Sequence, residues 1–164
     1  MTYAKLTPTG NLQPLGFVPG ITNASEATMQ RYANEEGYLP VEYTDPPGEW
    51  YTSSFVQRAG RIEQVWTPWD NAAKMSVVQS MVQSLLDSKA QERQYDNIFT
   101  ALTYINSTNK KFAAEAAALR DWRDAIWTEC YAYLAKVEAG EVRMPDSWEE
   151  VEKLLPSFRW PDEQ

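Results

Sequence analysis

The pattern of apolar and polar positions differs between the two parts of the chain. Over residues 1–66, apolar residues come in short runs between breakers, and this part holds six of the seven glycines. Over residues 67–164, apolar residues recur every three or four positions, which is the spacing of one helix face. The pattern predicts an α+β protein: a small β-rich N-terminal unit over residues 1–66, followed by a C-terminal helical bundle with one long helix over residues 67–164.

Turn and cap residues divide the first part into short elements. Residues 6–16 predict two extended pieces around a turn at Gly10-Asn11, and their prolines confine any strand there to an edge. A short helix is predicted after Ser25, which is a good N-cap, and Gly37 is placed to end it. Residues 53–66 alternate around Ala59-Gly60, which predicts a β-hairpin.

A helix is predicted from Pro68 to Glu92, because Thr67 is a suitable N-cap and proline is preorganised for the first helical position. Its apolar side has the spacing of an a/d seam and consists of Met75, Val78, Val82 and Leu85. Two interpretations are open. The segment is either one core-facing amphipathic helix or a short coiled coil through which the chain self-associates.

The longest predicted helix runs from Asn109 to Ala139, about 45 Å at 1.5 Å per residue. A shorter helix over residues 95–106 precedes it. Ser107 or Thr108 can cap the long helix, and Gly140 can end it. Its apolar residues cover more than one face, so we expect neighbours to pack on more than one side.

The tail after this helix is predicted to return to the bundle. Asp146 is expected to cap a short helix, with Glu149 at the capping-box spacing. Pro156 is expected to end that helix. Phe158 and Trp160 are expected to pack against the bundle.

Composition removes several classes of function. The chain carries 15 Lys and Arg against 23 Asp and Glu, so we expect neither nucleic acid nor an anionic membrane surface as a partner. It has no histidine and one cysteine, Cys130, which excludes Ser-His-Asp and Cys-His catalysis. With no catalytic, metal or cofactor motif, we expect a protein that is not an enzyme. The first ten residues lack the apolar stretch of a secretory signal, which favours the cytoplasm.

Aromatic residues are the best candidates for binding, since tryptophan, tyrosine and arginine commonly anchor protein interfaces. The candidates for a partner-binding surface are Trp122, Arg123, Trp127, Tyr131, Trp66 and Trp69. Arg123 and Trp127 stand four residues apart and are expected to stack as a cation–π pair. A core role for these aromatics is the alternative. A further interpretation is a sugar-stacking platform formed by Trp50, Tyr51, Trp66 and Trp69.

The C-terminal part resembles a known family over about residues 70–161. The resemblance is carried by Tyr95-Asp96-Asn97-Ile98, Thr103-Tyr104, Trp122-Arg123-Asp124-Ala125-Ile126-Trp127, Glu138-Ala139-Gly140, Met144-Pro145 and Trp160-Pro161. These segments are similar to small proteins of tailed phages and prophages that are encoded beside tail-fibre genes. Such proteins are described as tail-fibre assembly or tail-associated proteins.

The resemblance implies a role without catalysis. An assembly chaperone of this family would bind the distal part of a trimeric phage tail-fibre protein, keep it soluble, and help its three chains find register. It would act in the cytoplasm of the bacterial host. A structural tail or fibre component retained in the virion is one alternative, and a carbohydrate-binding module is another. Self-association of the chain is also open.

Overall fold

A computed structural model describes residues 2–163 of the chain. The chain divides into two compact units, residues 1–69 and 70–164, each with a hydrophobic core of its own. The N-terminal unit contains β1 (Thr2–Leu6), β2 (Leu12–Pro14), α1 (Glu26–Glu36), β3 (Leu39–Glu42), β4 (Tyr51–Arg58) and β5 (Arg61–Pro68). The C-terminal unit contains α2 (Asn71–Gln91), α3 (Ile98–Leu102), α4 (Lys110–Glu138) and α5 (Trp148–Glu152), with short 3₁₀ turns at Thr103–Asn106 and Pro161–Glu163. The predicted α+β class is confirmed.

The five strands form one mixed sheet in the order β2-β1-β3-β5-β4. Neighbouring strands are antiparallel except β3 and β5, which run parallel with Val41 opposite Ile62. Pro14 lies in edge strand β2, as expected for a residue that lacks an N–H. Pro40 lies in the central strand β3, but the parallel pairing begins only at the next residue, so that ladder does not need the missing donor. Ala4, Val41 and Ile62 form the core on one side of this sheet.

The hairpin turn and the two ends of the short helix in this unit are as predicted. Ala59 and Gly60 connect β4 to β5 with positive φ angles of 46° and 78°, the conformation of a two-residue hairpin turn. Helix α1 begins after Ser25, whose side chain accepts a hydrogen bond from the backbone N–H of Thr28. It ends at Gly37, which adopts the left-handed conformation with φ 75°.

Helices α2 and α4 supply much of the core of the C-terminal unit. Val82 of α2 and Leu119 and Ile126 of α4 are fully buried. Val78 and Leu85 pack against this cluster, so the predicted seam faces its own unit. Of the two interpretations of the seam, the structure therefore favours the core-facing helix over the coiled coil.

The predicted start of α2 is wrong by three residues. Thr67 and Pro68 are the last residues of β5 and pair with β4, and the helix begins at Asn71. Asp70 is the N-cap, and its carboxylate accepts a hydrogen bond from the N–H of Ala73 at 2.7 Å. Both Thr67 and Asp70 are chemically suitable caps. The strand pairing with β4 decides between them, because it holds residues 67 and 68 in extended conformation.

Two other caps also differ from the prediction. Helix α4 is capped by Asn109 and not by Ser107 or Thr108, since the Asn109 side chain accepts from a backbone N–H two residues on. Helix α5 is capped by Ser147 and not by Asp146, because Asp146 is engaged in an ion pair. In each case several adjacent residues are chemically suitable caps, and the helix uses only one of them.

The C-terminal segment packs on the helical core, as predicted. Trp160 is buried, its indole N–H donates to a Glu92 carboxylate oxygen at 3.2 Å, and the Arg93 guanidinium lies 4.9 Å from its ring centroid. Arg93 also donates two hydrogen bonds to Asp162, at 2.7 and 2.9 Å. Phe158 meets Trp160 edge-on with the ring centroids 4.8 Å apart. These contacts tie the end of the chain to the end of α2.

Candidate functional site

An apolar groove lies within the C-terminal unit. It is formed by the first half of α2, the second half of α4 and the segment from Met144 to Leu155. The space in and at the mouth of the groove, part of which is open solvent, is about 650 Å³. Its apolar walls include Met75, Val78, Trp127, Leu134, Met144 and Leu155. Apolar clefts with a few polar groups at their margin are the usual form of a binding site.

Two exposed apolar side chains border this groove. Tyr131 is 66% exposed, and its ring lies 6.3 Å from that of Trp127, one turn earlier on α4. Leu154, which follows α5, is 43% exposed and also lines the groove. Exposed apolar side chains that adjoin an apolar groove mark a surface that a partner can cover.

Cys130 lines the groove and is half-buried. Burial raises the pKa of its thiol, and the neighbouring Glu129 carboxylate raises it further. The thiol is therefore protonated at neutral pH, and the chain holds no histidine to act as its base. Cys130 contributes apolar surface to the groove, and its raised pKa makes the thiol react more slowly than an exposed cysteine.

Ion pairs hold the segment that closes the groove. The buried Lys74 ammonium, near the start of α2, pairs with Asp146. Arg143 pairs with Asp146 at 3.0 Å and with Glu150 at 2.6 Å, and this guanidinium holds the pKa of Glu150 below its ordinary value. Met144 lies between Arg143 and Asp146 in the sequence and lines the groove.

The structure separates the predicted binding residues of the long helix. Trp122 is only 8% exposed, its indole N–H donates to the carbonyl of Pro156 at 2.7 Å, and its ring packs on Phe158. This burial favours the core interpretation for Trp122. Arg123 bonds Asp124 at 3.0 and 2.7 Å, and the expected stack on the Trp127 ring is not formed. Trp127 and Tyr131 are the two predicted residues that the groove brings together.

The other predicted residues belong to the N-terminal unit. The indole N–H of Trp66 donates to the Thr44 hydroxyl at 3.1 Å, and that of Trp69 donates to the Thr52 hydroxyl at 3.0 Å. Both rings are half-buried. Trp50, a member of the predicted sugar platform, is buried and offers no open face for stacking. The six predicted residues therefore do not form one surface within either unit.

One wall of the groove was not predicted from the sequence. Met144, Leu154 and Leu155 come from the segment after α4, and the two leucines follow α5 instead of lying within it. The available signal was the pair of leucines directly before Pro156. Helix α5 ends at Glu152 and not at Pro156 as predicted, so both leucines lie outside the helix.

Two further kinds of site, for a metal ion and for a membrane span, are absent from residues 2–163. That range holds no group of three or more Cys, Asp or Glu side chains placed to bind a metal ion. Its helices are all too short or too polar to cross a lipid bilayer. Comparison with protein-family models, curated proteins and solved structures finds no match to this chain.

Proposed function

We propose that this chain is a non-enzymatic protein-binding factor that assists assembly of a phage tail fibre. The observation that carries the proposal is the apolar groove with Tyr131 and Leu154 exposed beside it. The resemblance of residues 70–161 to tail-fibre assembly proteins supplies the partner, which is the tail-fibre protein. The factor would act in the host cytoplasm and cover an apolar fibre segment until three fibre chains associate.

The composition of the groove suits a temporary partner. Met75 and Met144 have flexible side chains that adapt to differently shaped apolar groups. Trp127 and Tyr131 offer large contact areas with few rotatable bonds, so little conformational entropy is lost on binding. A chain with net charge −8 also keeps such a complex soluble.

The test is co-expression with the C-terminal part of the tail-fibre protein from the same genome. We expect the wild-type chain to give a soluble complex by light scattering and to raise the yield of trimeric fibre. Tyr131→Ala should lower both. Phe99→Ala is the matched control, because Phe99 is 64% exposed in the same unit and does not line the groove.

Two results would overturn this proposal. One is fibre that trimerises equally well without the chain. The other is a Tyr131→Ala variant that supports assembly as well as wild type does. Mass spectrometry of purified particles distinguishes an assembly factor from a component retained in the virion. A stoichiometric amount of this chain in finished tails would make it a structural component.

A further inference from the structure

The backbone around the groove restricts what can bind there. The groove is built from helices and a connecting segment, and residues 70–163 contain no strand. An extended peptide would therefore find no strand edge to supply backbone hydrogen bonds. A segment that enters an apolar groove must satisfy its own N–H and C=O groups. An α-helix does so, which makes helix-in-groove binding the mode that fits.

The charged side chains around the groove favour a partner segment that is positively charged. The lining segments, residues 74–79, 127–134 and 143–155, carry five acidic and three basic side chains. All three basic side chains are already paired with acids of these segments: Lys74 with Asp146, Arg143 with Asp146 and Glu150, and Lys153 with Glu149. The lining segments therefore present a net negative charge to whatever binds.

Glu129 is the carboxylate that lines the groove itself. It is exposed, and among residues 2–163 it joins no ion pair. Lys136 follows two turns later on α4 and does not line the groove. A bound segment thus meets an available negative charge at Glu129.

The same charges disfavour a second copy of this chain as the molecule that fills the groove. Residues 70–164 carry 16 Asp and Glu against 11 Lys and Arg, a net charge of −5, so a second copy would bring like charge to the groove.

We propose that the groove binds an amphipathic helix of the partner, with its apolar side on the groove and a Lys or Arg beside that side facing Glu129. This inference rests on the proposed function and specifies the partner chemistry. Tyr131 covers the apolar side of the bound helix. The Glu129 carboxylate makes the groove favour a helix with a basic side chain over one with an acidic side chain.

The probe is a synthetic peptide of about 18 residues, roughly five helical turns, made of leucine, alanine and lysine with one apolar side. Its twin carries glutamate in place of every lysine. Cys130 is the only cysteine and lies in the groove, so its reaction with a chromogenic disulfide reports occupancy of this site. We expect the lysine peptide to slow that reaction at least fivefold and to bind at least tenfold more tightly than its twin by calorimetry.

Variants of the full chain locate the contact. Glu129→Gln should raise the Kd of the lysine peptide about two- to fivefold, the value of one exposed ion pair. Glu138→Gln is the matched control with no expected change, because nine residues along α4 place it on the opposite side of the helix. Tyr131→Ala should raise the Kd about tenfold, as removal of an interface anchor does, and Phe99→Ala should not.

Several outcomes would overturn the inference. They are equal affinity for the two peptides, equal effects of Glu129→Gln and Glu138→Gln, and protection of Cys130 by dimerisation without any peptide. If fibre assembly depends on Tyr131 but the lysine peptide does not bind, this inference fails and the proposed function stands. If the peptide binds as expected but the fibre ignores the chain, the proposed function fails and the preference of the groove for a basic helix stands.

Discussion

Lys74 and Asp146 form an ion pair, and replacing Asp146 should lower the free energy of unfolding more than replacing Lys74 does. The Lys74 side chain is 5% exposed, whereas that of Asp146 is 26% exposed and keeps Arg143 at 3.0 Å. Asp146→Ala therefore leaves a buried ammonium without its carboxylate. Lys74→Met removes the buried charge itself and leaves Asp146 with Arg143 and with water.

The expected magnitudes follow from this asymmetry. Breaking a buried ion pair by removing one partner costs about 3–5 kcal/mol when the other charge stays buried. We therefore expect Asp146→Ala to lower the free energy of unfolding of the helical unit by about 3 kcal/mol, and its midpoint by more than about 10 °C. Lys74→Met should cost less than about 1 kcal/mol, because an unbranched apolar side chain replaces a buried charged one.

Urea unfolding followed by far-UV circular dichroism measures both variants. Lys153→Met is the matched control, because it breaks the Lys153–Glu149 pair, whose side chains are 68% and 73% exposed. That variant should unfold like the wild type. Equal losses for Lys74→Met and Asp146→Ala, or a larger loss for Lys74→Met, would refute this account of the pair.

Three further substitutions, and one change of pH, test other parts of the structure. Tyr95→Phe removes the hydroxyl that donates to the buried Glu115 carboxylate at 2.8 Å, so it should cost about 1–3 kcal/mol in urea unfolding; no loss would contradict that role. Burial raises the pKa of Tyr95 above its ordinary 10.0, so stability should fall above pH 10 as the unfolded chain ionises first, and Tyr95→Phe should flatten that slope. Trp122→Ala should cost about 3–5 kcal/mol, and unchanged stability would remove Trp122 from the core. Glu129→Gln should speed the reaction of Cys130 with a disulfide reagent at fixed pH, because the carboxylate raises the thiol pKa; an unchanged rate would contradict that coupling.

Elements set by local chemistry could be predicted from the sequence. The Ala59-Gly60 hairpin and the helix between Ser25 and Gly37 depend on residues close together in the chain, and the structure confirms both. The long helix was also predicted to within one residue at each end. In these cases the required backbone conformation is encoded by the residues that adopt it.

Features that depend on distant segments could not be predicted. The strand pairing that extends β5 through Pro68 is decided by β4, and no local rule ranks Thr67 below Asp70 as a cap. Trp122 and Trp127 are five residues apart, about 140° around the helix, so they face different surroundings. Periodicity showed that α4 is apolar on several sides, but not which side its neighbours leave open. The groove forms where three segments of the chain meet, and no local sequence pattern predicts that they meet there.

The place of β3 in the sheet has a consequence for folding kinetics. The β4–β5 hairpin closes through a two-residue turn, and β1 and β2 also pair over a short connection. Strand β3 joins these hairpins, because Val41 pairs with Thr2 on one side and lies opposite Ile62 on the other, both distant in sequence. Contacts of high sequence separation form slowly, since the chain entropy of large loops is lost before they form. We expect insertion of β3 to limit the rate at which the sheet forms, with amide protection appearing in the hairpins first.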